Sequence, residues 1–479
     1  MRRYGLRLFR TLPNEHQNGA TEDAGAAWQA LAFDPADPGK TLALVPAAPA
    51  VFALQGDDPR AEPYIGRTPN LRGRLERLLQ PSPRHPRRLH LAGLVRRIRW
   101  RLTGSDFESL LTQFSLLEEC FGAKSLERMH LRSPAFVRFL GGNPYPRVVV
   151  THRPSQREAD WAYGPFASRA AAERYAEEVL KLFLLRRCID DLHPDPSFPG
   201  CIYSEMKMCL APCYKGCSDE RYGEESAAVE GFLATRGESR LVTLRARRDE
   251  ASANLEFESA AALHAQIQRI ESVRALAPEL VRPMSRLRAV ILQASASPGD
   301  VAVFLFENGT LRGPAAFSTL GMRIQNEQSG STSLFAQPMA LDAVPEEQGA
   351  RERGSKGADE QGARERGSKG ADEQGARERG SKGADEEGAR DQEISRVPRT
   401  QLESRLEAVL ALLSAPAELP SATTRLGHLA LLKRWYYRPE VRRSGEVFFP
   451  DADDRWPIRS ILRGIGRIAA KAIAPATLA

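Results

Sequence analysis

The sequence lacks any apolar run of roughly 18 residues, about the shortest stretch that crosses a membrane as a helix. Its basic start, Met1–Arg7, is not followed by the apolar stretch of a signal peptide. Net charge is also small, because 68 Lys and Arg face 61 acidic residues, a formal charge of +7. These absences predict a cytoplasmic protein without a membrane partner. The 479 residues, 42% of them hydrophobic, are enough for about two to four folded domains.

Positive charge is concentrated in one stretch. Between Arg67 and Arg101 there are 11 Arg and a single acidic residue, Glu76. Such clustering, together with helical apolar spacing, is an electrostatic footprint for phosphate. We therefore predict contact with double-stranded DNA here; the alternative is a solvated basic face. The side chains expected to contact DNA are Arg72, Arg77, Arg96, Arg97 and Arg99.

Cysteine is scarce except in one cluster. Of the 6 cysteines, all but Cys120 fall between Cys188 and Cys217. Disulfides are disfavoured in a reducing compartment, so clustered thiols indicate a metal site, with either Zn²⁺ or an iron–sulfur cluster as occupant. We interpret Cys217 as a substitute ligand or a bystander and Cys120 as a small buried hydrophobic residue. The four predicted ligands are Cys188, Cys201, Cys209 and Cys213.

Periodicity along the chain predicts its main elements. Two short strands, at 51–54 and 64–66, precede a helix from about residue 71. Residues 145–150 form a further strand, and helices follow over 170–185 and 219–273, with a break near Asn254. Further strands are predicted at 290–292 and 301–306, with Asn308-Gly309 as the turn that follows. In the last segment, apolar residues between 402 and 413 form one helix face.

A repeat interrupts this pattern. Glu347–Asp385 contains three copies of a 13-residue unit with no large apolar residue. Such a unit cannot bury a core, so we predict a disordered linker.

The residues at the front of the chain resemble a known nuclease family. Ala50–Phe52, Tyr64–Arg67 and Arg74 are similar to the motifs of the GIY-YIG nuclease domain, above all the version in the bacterial excinuclease UvrC. The resemblance implies hydrolysis of a phosphodiester assisted by Mg²⁺ or Mn²⁺. It also implies that Tyr64 acts on the attacking water, that Arg67 and Arg74 lie at the phosphate, and that a Glu on a later helix holds the metal ion.

Two positions depart from the family pattern. Phe52 replaces the tyrosine of the first motif, and Gln113 occupies the position of the metal-binding Glu. An amide is a poor ligand for a hard cation. Glu108 is the candidate replacement, although a helix directs residues five positions apart to different faces.

The middle of the chain is similar to the same family. Tyr163–Phe166, Leu182–Cys188 and Cys209–Cys213 resemble the middle of UvrC, which implies a [4Fe–4S] cluster on the four cysteines, with Zn²⁺ as the alternative. Ala251–Ala261 looks like the UVR module, a helical hairpin that pairs UvrC with its excinuclease partner UvrB. For this pairing we predict a surface made of Leu255, Phe257, Leu263 and Ile267.

These patterns predict an α+β fold. Resemblance covers about residues 45–280, and neither the ribonuclease H-like domain nor the helix-hairpin-helix motifs of the full-length family are recognisable. The predicted segments are an N-terminal extension (1–45), a small GIY-YIG-like mixed α/β domain (46–125), a Cys-rich α/β region (126–218), a UVR-type hairpin (219–280), a short β region (285–322), a low-complexity linker (340–398) and a small α-rich C-terminal segment (400–479).

Three hypotheses on function remain open at this point. The first is a protein of nucleotide excision repair that resembles UvrC and cuts DNA near a lesion. The second is a DNA-binding adaptor that pairs with UvrB without cutting. The third is a stand-alone nuclease or an RNA-binding protein with borrowed modules. Gln113 and Phe52 favour the adaptor, whereas Tyr64, Arg67 and Arg74 favour cleavage.

Overall fold

A computed structural model describes residues 28–58, 61–80, 89–322, 398–416 and 420–473. The repeats at Glu347–Asp385 lie outside this part of the chain. The predicted α+β fold is confirmed, since antiparallel sheets and helices make up the described residues. Among these residues, none of the helices combines the length and the apolar character that a membrane crossing requires.

The first sheet contains four antiparallel strands in the order β1-β4-β2-β3. Its elements are β1 (Gln29–Ala32), α1 (Pro38–Ala43), β2 (Ala50–Gln55), β3 (Tyr64–Thr68), α2 (Leu71–Leu79), β4 (Arg97–Leu102) and α3 (Asp106–Phe121). The two predicted strands and the helix after them are confirmed. The helical interpretation of the basic stretch is wrong at β4, where arginines alternate with apolar residues at the two-residue period of a strand.

The two faces of this sheet pack against different helices. Phe52 and Leu54 share a core with the buried leucines of α2. Val51 and Ala53, which point the other way along β2, pack against Leu116 of α3. The sheet therefore lies between α2 and α3.

The middle region is built on a second antiparallel sheet, in the order β6-β5-β7-β8. Its elements are α4 (Lys124–Arg128), β5 (Ala135–Phe139), β6 (Val148–Thr151), β7 (Ala162–Phe166), α5 (Arg169–Leu180), α6 (Ile202–Glu205), α7 (Asp219–Ala234), α8 (Glu238–Ala253), α9 (Phe257–Ala275) and β8 (Arg282–Pro283). One core joins this sheet to α5, α7 and the hairpin formed by α8 and α9.

The third sheet combines strands from two distant parts of the sequence. Its elements are β9 (Ala289–Ala294), β10 (Asp300–Glu307), β11 (Thr310–Ser318), α10 (Arg399–Ser414), α11 (Ala422–Tyr436), β12 (Glu446–Phe448) and α12 (Ile458–Ile473). Asn308 and Gly309 both have positive φ in the tight turn between β10 and β11, as predicted. Strand β12 pairs with β9 at the sheet edge, so the short β region and the C-terminal segment form one folded unit.

Helix α3 connects this unit to the first sheet. One face of the third sheet packs with α10 and α12, and the other packs with α3 and α11. Helices α3 and α11 approach so closely at Gly427 that a Cβ there would lie 2.0 Å from the Phe114 ring. Only glycine permits this contact.

Candidate active site and thiol cluster

The predicted catalytic residues Tyr64 and Arg74 are in contact. Tyr64 begins β3, and Asn70 caps α2 by accepting the Gly73 N–H at 2.9 Å. Helix α2 therefore starts directly after the strand, and Arg74 lies in its first turn. The Arg74 Nη2 donates to the Tyr64 hydroxyl at 3.2 Å. The strand–cap–helix order thus places a phenol and a guanidinium side by side at the surface of the first sheet.

Phe52 lies behind this pair. Its ring is fully buried, and its centroid is 6.1 Å from that of Tyr64. A Cβ on Gly66 would lie 2.9 Å from the end of the Phe52 ring, so glycine at this position makes room for the aromatic. Because Phe52 has no hydroxyl, this side chain adds no second phenol to the site.

Arg67 lies on the other face of the sheet from Tyr64. The side chains of β3 alternate, and Ile65, the neighbour of Arg67 on that face, packs with the α3-side core. Arg67 forms an ion pair with Asp106 at the start of α3, and Arg438, just beyond α11, reaches the same carboxylate at 2.6 Å. Burial opposes ionisation of Asp106, but hydrogen bonds and charge from Arg438 and Arg67 lower its pKa below the ordinary value.

The sequence does not predict this cluster, in which Arg67 and Arg438 both pair with Asp106. Asp106 carries no motif of its own, and Arg438 comes from a segment more than 300 residues away in the chain. The structure therefore separates Arg67 from the Tyr64–Arg74 pair and assigns its guanidinium an acidic partner.

Glu108 occupies the N-terminus of α3. Its side chain is only 4% exposed, and the carboxylate accepts the Gly104 N–H at 2.8 Å. The Ser105 side chain caps the helix by accepting the Glu108 N–H at 3.1 Å, while the Glu108 carboxylate holds the residue before the cap. Burial raises the pKa of Glu108, against the opposing effects of the Gly104 N–H and the charge of Arg101. The contacts of Glu108 are thus with the helix end, and its role as a metal ligand stays a prediction.

The described residues do not fit a divalent metal ion at this site. Asp106 is engaged by two arginines, and Glu108 is engaged by a backbone N–H. Gln113, farther along α3, offers an amide. In the parts of the chain that the structure describes, no group of three or more His, Cys, Asp and Glu side chains is arranged to hold a metal ion.

The arginines predicted to bind DNA differ in their contacts. Arg72 donates to the carbonyl groups of Val45 and Ala43, which fixes the loop before β2. Arg96 pairs with Asp57 at 3.1 Å and also donates to backbone carbonyls. Arg99 lies over the Trp28 ring. Arg77 and Arg97 are exposed and therefore present their charge to solvent.

The four predicted cysteine ligands are close to one another. Cys209 lies within electrostatic reach of the other three, and the thiols of Cys201 and Cys213 are hydrogen-bonded. All four are free and partly buried. Burial raises the pKa of Cys209 to about 11. Burial opposes ionisation of Cys201 as well, yet hydrogen bonds from the Ser204 and Tyr203 backbone lower its pKa.

A buried arginine stands beside this cluster. Arg186 is 3% exposed and donates to the Cys188 Sγ at 3.5 Å. It also donates to the carbonyls of Tyr145 and Asp190, both at 2.8 Å. Arg186 belongs to the Leu182–Cys188 motif, but nothing in that motif's pattern indicates a contact with sulfur.

The loop that carries three of the cysteines has an unusual backbone. Lys207, Ala211 and Lys215 all have positive φ, between 53° and 59°. Residues with a side chain adopt this conformation at a cost, and it persists where surrounding structure requires it. The Ala211 N–H, held by this conformation, donates to the Cys209 Sγ at 3.3 Å. The N–H donors to sulfur therefore fit a centre bound by thiolates. Among the described residues, however, no three of the thiols are arranged in the geometry of a metal site.

The helical hairpin divides its apolar residues between inside and outside. Leu263 and Ile267 are buried in the core that the hairpin shares with α5 and α7. Leu255 and Phe257, at the connection between α8 and α9, are 71% and 68% exposed. Of the predicted partner-binding residues, the structure therefore presents only this second pair at the surface.

Family profiles match the two consecutive regions that contain these features. Residues 136–232 match the profile described as the UvrC/Cho excinuclease middle domain, and 238–273 match the UvrB/uvrC motif. The first match includes all four predicted cysteine ligands, and the second spans α8 and most of α9. The two matched regions follow one another directly along the chain, so the cysteine-bearing middle region and the hairpin are both similar to parts of excinuclease proteins. The stretch 46–125 lies outside both matches, so its nuclease resemblance stays a prediction.

Individual relatives carry the name UvrABC system protein C. The protein from Alcanivorax borkumensis is 29% identical over 211 residues, which cover 44% of this chain and 34% of that protein. The protein from Pseudomonas protegens is 28% identical over 241 residues, covering 50% and 39%. The protein from Symbiobacterium thermophilum is 28% identical over 297 residues, which cover 62% of this chain and 46% of that protein.

The chain is therefore related to UvrC, and it spans between about a third and a half of the length of these relatives. No solved structure matches it significantly.

Proposed function

We propose that this protein acts in nucleotide excision repair as a UvrC-like component, in or near the incision of DNA at lesions. The observation that carries the proposal is the pair of consecutive matches, to the excinuclease middle domain and to the UVR motif. Both fall in one folded core of the chain. The protein acts in the cytoplasm, binds double-stranded DNA through exposed arginines such as Arg77 and Arg97, and pairs with UvrB through Leu255 and Phe257.

The Tyr64–Arg74 contact supports a role at the phosphodiester itself. Arg74 holds the Tyr64 hydroxyl by donating to it, and it brings positive charge to the position that a phosphate would occupy. Among the described residues, no group of three or more His, Cys, Asp and Glu side chains is arranged to hold a metal ion, so we assign no step to a metal.

A second candidate function is a non-catalytic DNA-binding adaptor that pairs with UvrB. The engagement of the Glu108 carboxylate by the Gly104 N–H and the amide at Gln113 favour it, because metal-assisted hydrolysis needs an anchoring carboxylate. In this account the first sheet keeps the fold of a nuclease and holds DNA without cutting it.

An incision assay separates the two functions. The anaerobically purified protein is mixed with UvrA, UvrB, a lesion-bearing duplex and Mg²⁺ or Mn²⁺, with Arg74→Ala as the inactive control. Cutting that disappears with Arg74→Ala supports catalysis. Lesion-dependent binding without cutting supports the adaptor. Absence of both lesion-dependent binding and cutting contradicts the proposed function.

We further propose that Cys188, Cys201, Cys209 and Cys213 hold a [4Fe–4S] cluster, with Zn²⁺ as the alternative. The proposal is supported by the electrostatic interaction of Cys209 with the other three thiols and by the Arg186 and Ala211 donors to sulfur. When bound, such a centre supplies structural cross-linking of the loop. Metal and sulfide analysis of anaerobic protein tests this: iron with sulfide supports the cluster, and zinc alone supports the alternative. Neither should be retained in Cys209→Ala, whereas Cys120→Ala serves as the control and should retain the metal.

A further inference from the structure

The outer face of α12 carries a row of basic side chains. Arg459, Arg463, Arg467 and Lys471 recur every four residues, and all are exposed. The helix contains no Asp or Glu. Because a helix rises about 1.5 Å per residue, the row extends about 18 Å along the axis. Residues four apart are neighbours on a helix surface, so their charges form one continuous strip.

The opposite face of α12 is occupied. Ile461, Ile465 and Ile468 are buried in the core that α12 shares with α10 and the third sheet. An amphipathic helix binds a membrane by inserting its apolar face, and this face is already packed within the protein. The strip is therefore suited to a charged partner that contacts the surface without insertion.

The charges of the strip differ in how far they are neutralised. Arg467 makes two contacts with Glu446, at 2.8 Å and 2.5 Å, which anchor the helix to β12. Arg459 is 3.8 Å from Glu403, and Arg463 donates to the Ser460 hydroxyl. Within the described ranges, neither Arg463 nor Lys471 forms an ion pair. The strip therefore retains positive charge for an external anion.

A cleft next to the strip is less suited to an anion. It lies between α10 and the start of α12, encloses about 460 Å³ and includes Trp456. Glu403 and Glu407 line its α10 side, opposite Arg459 and Arg463 on the α12 side, so the two carboxylates offset the arginine charge inside the cleft and repel a phosphate there. An anionic partner would thus follow the outer strip and not enter the cleft.

We propose that Arg459, Arg463 and Lys471 form a contact surface for the sugar–phosphate backbone of DNA, separate from the arginines of α2 and β4. A row of positive charges on a rigid helix is the footprint of a polyanion, and backbone contacts of this kind are independent of sequence. The inference rests on the proposed function only for the choice of DNA as the polyanion. The surface keeps the C-terminal unit on the duplex while the first sheet contacts it elsewhere.

The test measures binding of the full-length protein alone to a short undamaged duplex, by fluorescence anisotropy over a range of salt concentrations. The triple variant replaces Arg459, Arg463 and Lys471 by Gln. In this variant the slope of log K against log salt concentration should become less steep by about 2 to 3, and the affinity at about 0.1 M salt should fall at least about tenfold. Glutamine is a good helix former, so α12 should remain folded. Arg463→Gln alone should reduce the slope by about 0.9.

The matched control removes the same charge from other helices. Arg174, Arg247 and Arg269 are exposed on α5, α8 and α9, and their triple replacement by Gln should leave the slope near that of the wild type. An unchanged slope in the α12 variant, or an equal loss in the control, overturns the proposal. The proposal is also overturned if the α12 variant loses binding to anionic vesicles but keeps its binding to DNA, because that result would identify the strip as a membrane surface. Normal recruitment by UvrA and UvrB alongside such a result would leave the proposed function standing.

Discussion

Among single residues, His428 is held in one protonation state by its surroundings. It lies buried on α11, where Nδ1 accepts the Leu311 N–H at 3.0 Å and the ring meets Phe114 edge-on at 5.5 Å. Burial lowers the pKa of His428 to about 4. Only the neutral ring can accept the Leu311 N–H, so the fold uses the neutral form.

Stability should therefore fall on acidification in the range set by this histidine. The unfolded chain takes up a proton near the ordinary pKa of 6.5, whereas the native state excludes it until about pH 4. The neutral His428 ring makes its full contribution to the free energy of unfolding above pH 6.5. As the pH falls toward 4, the free energy of unfolding should decrease by about 2 to 3 kcal/mol. Urea unfolding at several pH values measures this. His428→Gln keeps an acceptor but does not titrate, and equal pH dependence in this variant would refute the assignment.

Glu108 provides a second prediction at this scale. Glu108→Gln keeps an oxygen that accepts the Gly104 N–H, so the free energy of unfolding should change by less than about 1 kcal/mol. Glu108→Ala leaves the Gly104 N–H without its acceptor and should cost about 1 to 2 kcal/mol. Thermal or urea unfolding compares the two variants. Incision that is present in the wild type and disappears in a stable Glu108→Gln variant would show instead that the carboxylate binds metal.

Part of the site can be predicted from sequence because it is local. Tyr64 and Arg74 are joined by one turn and a helix cap, so motif spacing alone brings them together. The role of Glu108 is harder to predict, because a Glu three residues after Ser105 is both a capping pattern and a candidate ligand. The pairing of Asp106 with Arg438 depends on tertiary packing and has no local signal.

At the scale of elements, the hairpin shows how one apolar stripe serves two purposes. Leu263 and Ile267 follow helical spacing because they form the core, whereas Leu255 and Phe257 lie outside that core at the connection. Sequence spacing groups all four, since it does not distinguish a face that meets the same protein from one that meets a partner.

Substitutions should separate these purposes. Ile267→Ala leaves a cavity in the core and should lower the free energy of unfolding by about 2 to 4 kcal/mol. Phe257→Ala removes an exposed ring and should change it by less than about 1 kcal/mol. Chemical denaturation of both variants measures the difference. Equal losses would mean that Phe257 is packed within the protein.

Long periodic elements are predicted well and short ones are not. The helices of 219–273 and the strands of 290–306 carry clear apolar periods, and all are present. Strands β1 and β12 contain four and three residues, too few for a period to be recognised. Their positions depend on pairing with β4 and β9, which the sequence does not reveal locally.

For the whole molecule, the third sheet is the main feature that sequence reasoning did not foresee. Its strands β9 to β11 and its edge strand β12 are separated by more than 120 residues, and α10, α11 and α12 cover both of its faces. The sequence predicts 285–322 and 400–479 as separate segments because the low-complexity repeats lie between them. Pairing across such a separation depends on packing and not on local pattern.

A chain that ends at residue 322 should therefore be unstable. It would expose the apolar faces of β9 and β10, including Val290, Ile291 and Phe304, which are now buried. We expect the truncated chain to aggregate and co-expression of residues 398–479 to restore soluble protein. Soluble yield and co-purification measure this. A truncated chain that is soluble alone and unfolds like the full-length protein would show that the two parts are independent.

Recruitment to a lesion tests the central claim most directly. Binding of the protein is measured on a lesion-bearing duplex loaded with UvrA and UvrB, and with UvrB omitted. The account predicts binding that requires UvrB, disappears with Phe257→Asp and survives Leu412→Asp, a matched change at an α10 side chain that is 65% exposed. Binding that is independent of UvrB, or that is equal for both variants, would contradict it.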